Sequence, residues 1–202
     1  MKQVFSSPVS AKLDGGQQCG MVVLSNGVDL AIEKAKISGI SIIGCSNYAS
    51  ATGALGVWAR KIADQGLIGI VMSQCSEMVA PYGCTDAIFG TNPIAVGLPT
   101  SPRIVFDMAT SATAYYGLKT LEKQGKLIER DDIAYDKSGN PTLNPTAALV
   151  GGAIRVFDRS YKGSHIALLI ELLAGALTGA AMDDKRKADN WAVLSLLLIQ
   201  QH

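Results

Sequence analysis

Histidine is nearly absent from this chain: His165 and His202 are the only two among 202 residues. A Ser-His-Asp triad would consume one of them, and a multi-histidine zinc site needs more than the sequence offers. Hydrolase and zinc chemistry therefore lack their usual parts. A surplus of one charge is missing too. Eighteen basic against seventeen acidic residues leave a net charge of +1, too small a field to draw the protein to nucleic acid or an anionic membrane. The expected partner is a small molecule or another protein.

The four cysteines, Cys19, Cys45, Cys75 and Cys84, form no CxxC pair, and the opening MKQVFSSPV has no apolar signal-peptide core. A reducing, cytoplasmic setting is expected, with the cysteines as small core fillers. No GxGxxG follows a strand and no GxxxxGK[ST] occurs, so the common phosphate cradles are missing. The most apolar run, HIALLIELLAGALTGAA at 165–181, carries Glu171 in its middle and falls short of the ~20 residues a spanning helix needs. It reads as a buried helix of a water-facing fold.

What is present is a chain 48% apolar, enough for one well-buried domain. The alternation at 8–13 suggests a strand, and Asp14-Gly15-Gly16 a turn. Over 19–38, Met21, Val22, Leu24, Val28, Ile32 and Ala35 fall mostly at helical spacing, with an interruption at Asn26-Gly27 and a stop at Gly39. Strand 40–45, helix 50–65 ending at Gly66, and strand 67–73 continue a helix-strand rhythm that implies an α/β fold. Strands 94–99 and 103–109 are separated only by a short turn. They form a hairpin, so the sheet is mixed and not a plain Rossmann sheet. After a loop at 74–93, the remaining expectations are a helix at 112–124, a polar loop at 125–145, a long helix from 163 to 181, a charged turn, and a last strand WAVLSLLLI.

Two helix starts carry groups suited to an anion. FDMATSATAY (106–115) offers Thr110 and Ser111, and SYKGSHIALL (160–169) offers Lys162, Gly163 and Ser164. Amides at a helix start, a hydroxyl and a lysine together suit a phosphate, and the two starts could converge on one dinucleotide. Each taken singly is also explained as an ordinary capped helix. His165 is either a pH-sensitive group near such a site or a plain helix-start residue.

FGTNPIAVGLPTSPRIVFDMATS and SYKGSHIALLIELLAGALTGA closely resemble stretches of the type-2 malate/L-lactate dehydrogenases, a family that includes ureidoglycolate and sulfolactate dehydrogenases and piperideine-carboxylate reductases. GTNP, DMATS, and YKG followed by LLAGALTG come in the family's order, and a weaker likeness runs through nearly the whole chain. The resemblance implies a single non-Rossmann, three-layer α/β domain over 1–202, with a mixed, largely antiparallel sheet flanked by helices. It also implies NAD or NADP as cofactor, a homodimer, and hydride transfer between the nicotinamide and a small 2-hydroxy or 2-oxo acid. By motif, Ser73, Asp107, Met108, Ala109, Lys162 and Gly163 are expected to contact the cofactor. No metal is expected.

The family's N-terminal helical segment, with a catalytic histidine, and its C-terminal cofactor loop are not visible in this sequence. CSNYASATGALG matches the family's Ser-Asn-His-Gly-like stretch, and Tyr48 stands where some members keep a proton-handling histidine. Tyr48 is thus the expected catalytic residue. A tyrosine, with an ordinary pKa near 10, suits the role of acid or hydrogen-bond donor better than that of base. Two alternatives follow: a dinucleotide-binding or regulatory module without efficient chemistry, or a fragment whose apolar surfaces need a partner.

Overall fold

The computed structural model describes residues 1–188 and 191–199; His202 lies outside them. The chain divides into two compact units. The first holds Met1–Gln74, Pro93–Met108 and the described residues of Leu172–His202; the second holds Cys75–Asn92 and Ala109–Glu171.

The first unit is built on a seven-stranded sheet: β1 (Lys2–Ser6), β2 (Ser10–Asp14), β3 (Ile40–Tyr48), β4 (Leu67–Ser73), β6 (Ile94–Leu98), β7 (Ile104–Met108) and β10 (Trp191–Ile199). They lie in the order β1-β2-β3-β10-β4-β6-β7. Only β2 and β3 run parallel, and the other neighbours are antiparallel. The expected mixed, largely antiparallel sheet is therefore present. The last strand in sequence lies between β3 and β4, a long-range pairing that no local pattern announces.

One face of this sheet is covered by α1 (Gly20–Ser38) and α2 (Leu55–Ala63). The buried stripe of α1 is Gly20, Val23, Leu24, Gly27, Val28, Ala31, Ile32 and Ala35, an i, i+3, i+4 pattern that aims one side at the sheet. Met21 and Val22, read as part of that stripe, fall off it and are half exposed. Nor does the helix break at Asn26-Gly27. Gly27 lies against the sheet, where a Cβ would come 2.6 Å from Cys45 Sγ. Gly39 ends the helix as expected, with φ +79°. The approach of α2 depends on Gly97, where a Cβ would stand 2.2 Å from the Ala59 carbonyl oxygen. The opposite face meets a 3-10 turn at Ala176–Thr178, whose Thr178 lies over Gly44. Farther along, that face exposes Ile40, Ile42, Ile104, Phe106 and Met108.

The second unit contains β5 (Val79–Ala80), β8 (Ala134–Tyr135) and β9 (Ala153–Arg155) in the order β5-β9-β8, with α3 (Tyr115–Gln124), α4 (Pro145–Leu149) and α5 (Tyr161–Ile170). Val79, Phe89, Leu118, Ile128, Ile154 and Ala167 belong to its core. β5 and β8 fall in segments read as loop, and α4 and β9 lie at and beyond the end of the 125–145 loop, where no element is expected from the pattern, because two- and three-residue strands carry too little alternation to be seen. The long helix expected from 163 to 181 instead starts at Tyr161 and passes at Glu171 into a π-helical turn, Glu171–Gly175. The charged turn contains a further short helix, α6 (Lys185–Ala188).

Candidate functional site

Tyr48 ends β3 at an irregularity. Strict alternation would put position 48 on the same face as Ile42 and Gly44. Asn47 adopts φ +56°, and the register with β10 shifts beside it. Such a bulge re-aims the following side chain, so Tyr48 enters the core beneath α1 with 1% of its surface exposed. Its Oη lies 3.4 Å from Ser73 Oγ, the end of β4, which is 2% exposed. Ser73 Oγ can also donate to the carbonyls of Gln74 (3.3 Å) and Ala192 (3.4 Å). Two of the expected residues, far apart in sequence, are thus one buried hydroxyl pair.

Asp107 and Met108 end β7 on opposite faces, with Met108 on the exposed apolar side. Asp107 Oδ2 accepts the Gly56 N–H at 2.7 Å. Gly56 lies in the first turn of α2, whose own N-cap position, Ala54, has no side chain able to cap. Asp107 is therefore a cap supplied from another strand, and its charge sits at the favourable end of the helix. It is exposed, and its second carboxylate oxygen has no bond among the described residues. Ala109 opens the second unit and is half-buried.

Thr110 and Ser111 do not cap α3, which starts four residues beyond Ser111 with Ala114 at its cap. Thr110 is buried, its hydroxyl donating to the carbonyls of Thr91 and Asn92, both at 3.1 Å, and the Ser111 hydroxyl donates to Thr113 O. These hydroxyls brace loops and are not presented to a ligand.

At α5 the helix start is real, and most of its donors are taken. Ser160 Oγ accepts the Lys162 N–H (3.2 Å), and Asp158 Oδ1 accepts the amides of Ser160 (3.0 Å) and Gly163 (3.1 Å). The Ser160 hydroxyl donates to Asp158 Oδ2. Burial pushes the Asp158 carboxyl up, but the Ser160 hydroxyl and the two amides outweigh it and hold it below its ordinary value. Gly163 is needed for this contact, since a Cβ there would stand 2.3 Å from Asp158 Oδ1. The glycine's close approach is thus to the protein's own carboxylate. Lys162 is exposed and has no ion pair among the described residues. His165 is exposed, with the Tyr161 ring edge-on at 5.5 Å.

Sequence reasoning missed a buried polar junction. Asn92, fully buried, donates from Nδ2 to the Ala167 carbonyl (3.1 Å) and to Glu171 Oε2 (2.7 Å), while its Oδ1 accepts the Cys75 N–H. The GTNP step and an acidic residue inside an apolar helix were its visible signals, since buried polar groups need partners. The cysteines are all free, as a reducing setting allows, but only Cys45 is a core filler; burial pushes its thiol up to about 12. Cys19 is exposed. Among the described residues no helix is long and apolar enough to cross a membrane.

Comparison with known proteins places this geometry in context. A family model described as malate/L-lactate dehydrogenase matches residues 1–196. The malate/(S)-sulfolactate dehydrogenase of Methanothermus fervidus is 38% identical over 180 residues, covering 88% of this chain and 51% of the relative. A Delta(1)-pyrroline-2-carboxylate reductase of Burkholderia ambifaria is 38% identical over 181 residues, covering 89% and 52%. The chain spans about half the length of the curated relatives it matches. A solved dehydrogenase from Sinorhizobium meliloti superposes with a TM-score of 0.90 at 32% identity, covering 98% of this chain and 59% of the other.

Proposed function

The chain belongs to the malate/L-lactate dehydrogenase family, and on that premise we propose that it is an NAD(P)-dependent oxidoreductase acting on a small 2-hydroxy or 2-oxo acid. The observation that carries this reading is the match over residues 1–196, which includes Tyr48, Ser73, Asp107, Met108, Ala109, Lys162 and Gly163. That coverage, together with relatives whose names are those of dehydrogenases and reductases, favours an enzyme over a module without chemistry.

Each unit, taken by itself, offers a group suited to part of a nicotinamide dinucleotide. Asp107 keeps an exposed carboxylate oxygen suited to a ribose hydroxyl, and the exposed ammonium of Lys162, with no ion pair among the described residues, suits a phosphate. Met108 and Ala109 supply backbone beside Asp107, while Gly163 serves by seating Asp158 so that Lys162 stands at an ordered helix start. When bound, the nicotinamide supplies or takes up the hydride. Proton handling is assigned to the Tyr48–Ser73 hydroxyl pair.

A homodimer is part of this reading. Its support is the exposed apolar sheet face with Ile104, Phe106 and Met108, larger than scattered surface hydrophobics require. A cytoplasmic setting is also part of it, supported by four free cysteines. The test is titration of NADH and NADPH against the purified chain, read by nicotinamide fluorescence and thermal stability. Saturable binding of at least one nucleotide is expected. No change with either would remove the cofactor reading.

A further inference from the structure

The second unit holds a cavity of about 220 Å³ that none of the residues assigned above lines. Its walls include Pro81, Tyr82, Tyr135, Arg155, Val156 and Arg159, and no acidic side chain lines it. Whole-ligand pockets run to about 300–1,000 Å³, so this one suits a single group and not an entire dinucleotide.

The two arginines are held differently. Arg155 ends β9, where its backbone N–H donates to Ile133 O and its carbonyl accepts the Ala112 N–H, fixing the position of its side-chain root. Its guanidinium lies 5.1 Å over the Tyr135 ring and has no ion pair among the described residues. Stacking on an aromatic face pre-orients a guanidinium without using its hydrogen-bond donors. Arg159 donates from Nη1 to Phe157 O (2.6 Å), and its Nε lies 3.1 Å from Asp132 Oδ2. Asp132 is shared with Arg130, so it neutralises Arg159 only in part. The cavity thus contains more positive charge than its walls compensate, from one guanidinium with its fork unspent and a second anchored beside it.

We infer that this cavity binds a phosphate group, received by the Arg155 fork with Arg159 beside it. A planar fork facing a phosphate makes paired, charge-assisted hydrogen bonds. Two sources carry this chemistry: the 2′-phosphate that distinguishes NADP from NAD, or a free phosphate or phosphate ester. The first source rests on the dehydrogenase reading, whereas the site itself does not.

The test uses the full chain and its Arg155→Gln and Arg155→Lys variants, with folding checked by circular dichroism. Inorganic phosphate is expected to raise the Tm of the parent above that in chloride of equal ionic strength, and to raise that of Arg155→Gln much less. If the source is the cofactor, NADPH binds the parent at least tenfold tighter than NADH, and Arg155→Gln brings the two together while leaving NADH binding unchanged. Arg155→Lys keeps the charge and the apolar stem without the fork, and it is expected to lose several-fold in phosphate response while remaining folded. A phosphate response without NADPH preference assigns the site to free phosphate or an ester. Phosphate stabilisation and the NADPH-to-NADH ratio both within twofold of the parent in folded Arg155→Gln would overturn the inference. Loss of NADH binding alone bears on the dehydrogenase reading and not on this one.

Discussion

Asp107 has two separable duties in this account, capping α2 and meeting a nucleotide, and substitution tells them apart. Asp107→Ala removes the acceptor for Gly56 N–H and the negative charge at the helix start. A lost cap costs about 1 kcal/mol, and the exposed charge at a helix start adds roughly 0.3 kcal/mol. For a chain of this size a loss of ~1–1.5 kcal/mol lowers Tm by about 2–6 °C. Asp107→Asn keeps an acceptor of nearly equal capping strength and loses only the charge, so its Tm falls by only about 1 °C. Nucleotide affinity follows a different order. Hydrogen bonds to a charged group are worth about 1.5–3 kcal/mol against about 1 for a neutral one, so Asn weakens binding several-fold and Ala by at least about tenfold. Scanning calorimetry gives the first ordering and fluorescence titration the second. An Asn variant that binds nucleotide like the parent would reduce Asp107 to a cap, and an Ala variant as stable as the parent would refute the capping argument.

Other consequences are equally direct. Tyr48→Phe keeps the ring in the core and removes the hydroxyl from Ser73, so kcat should fall by about 10²- to 10⁴-fold with nucleotide affinity unchanged; a loss of less than about threefold would take proton handling away from the pair. Asp158 has a folded pKa below its ordinary value, so its contribution is present above the unfolded value near ~3.9 and is lost as pH falls through the lower folded one. Asp158→Asn should therefore flatten part of the acid limb of Tm against pH, with Asp14, Asp132 and Asp136, also lowered, keeping the remainder. An unchanged acid limb would contradict this. Gly97→Ala places a methyl against the backbone oxygen of Ala59, where no side chain can move aside; a cost of about 2 kcal/mol, or ~4–8 °C in Tm, is expected by thermal unfolding, and a neutral result would show that α2 shifts freely.

The elements that could be read from sequence were those whose pattern is local. Strand 67–73 has β-branched residues between Gly66 and a polar stretch, and it matches β4. The 94–109 hairpin is joined by a turn too short for anything else, and Gly39 stops α1 because only a left-handed residue fits there. What escaped the reading depends on distant partners. β1 is exposed along its whole length, so it has no buried face to betray it, and β5, β8 and β9 gain their strand character from one another.

The site shows the same division. Motifs marked Asp107, Lys162 and Gly163, yet the partners that define their roles, Gly56 and Asp158, lie at separations or in hydrogen-bond patterns the motifs do not encode. The direction of Tyr48 turned on the left-handed backbone of Asn47, a conformation asparagine tolerates but does not announce.

The central claim is hydride transfer, and isotope transfer tests it most directly. The chain is incubated with NADH or NADPH deuterated at the nicotinamide C4 and with a panel of small 2-oxo acids and cyclic imino acids, and products are read by mass spectrometry. The account predicts a product one mass unit heavier, with deuterium at C2, from at least one substrate and one nucleotide. Saturable nucleotide binding with no deuterium in any product would contradict it.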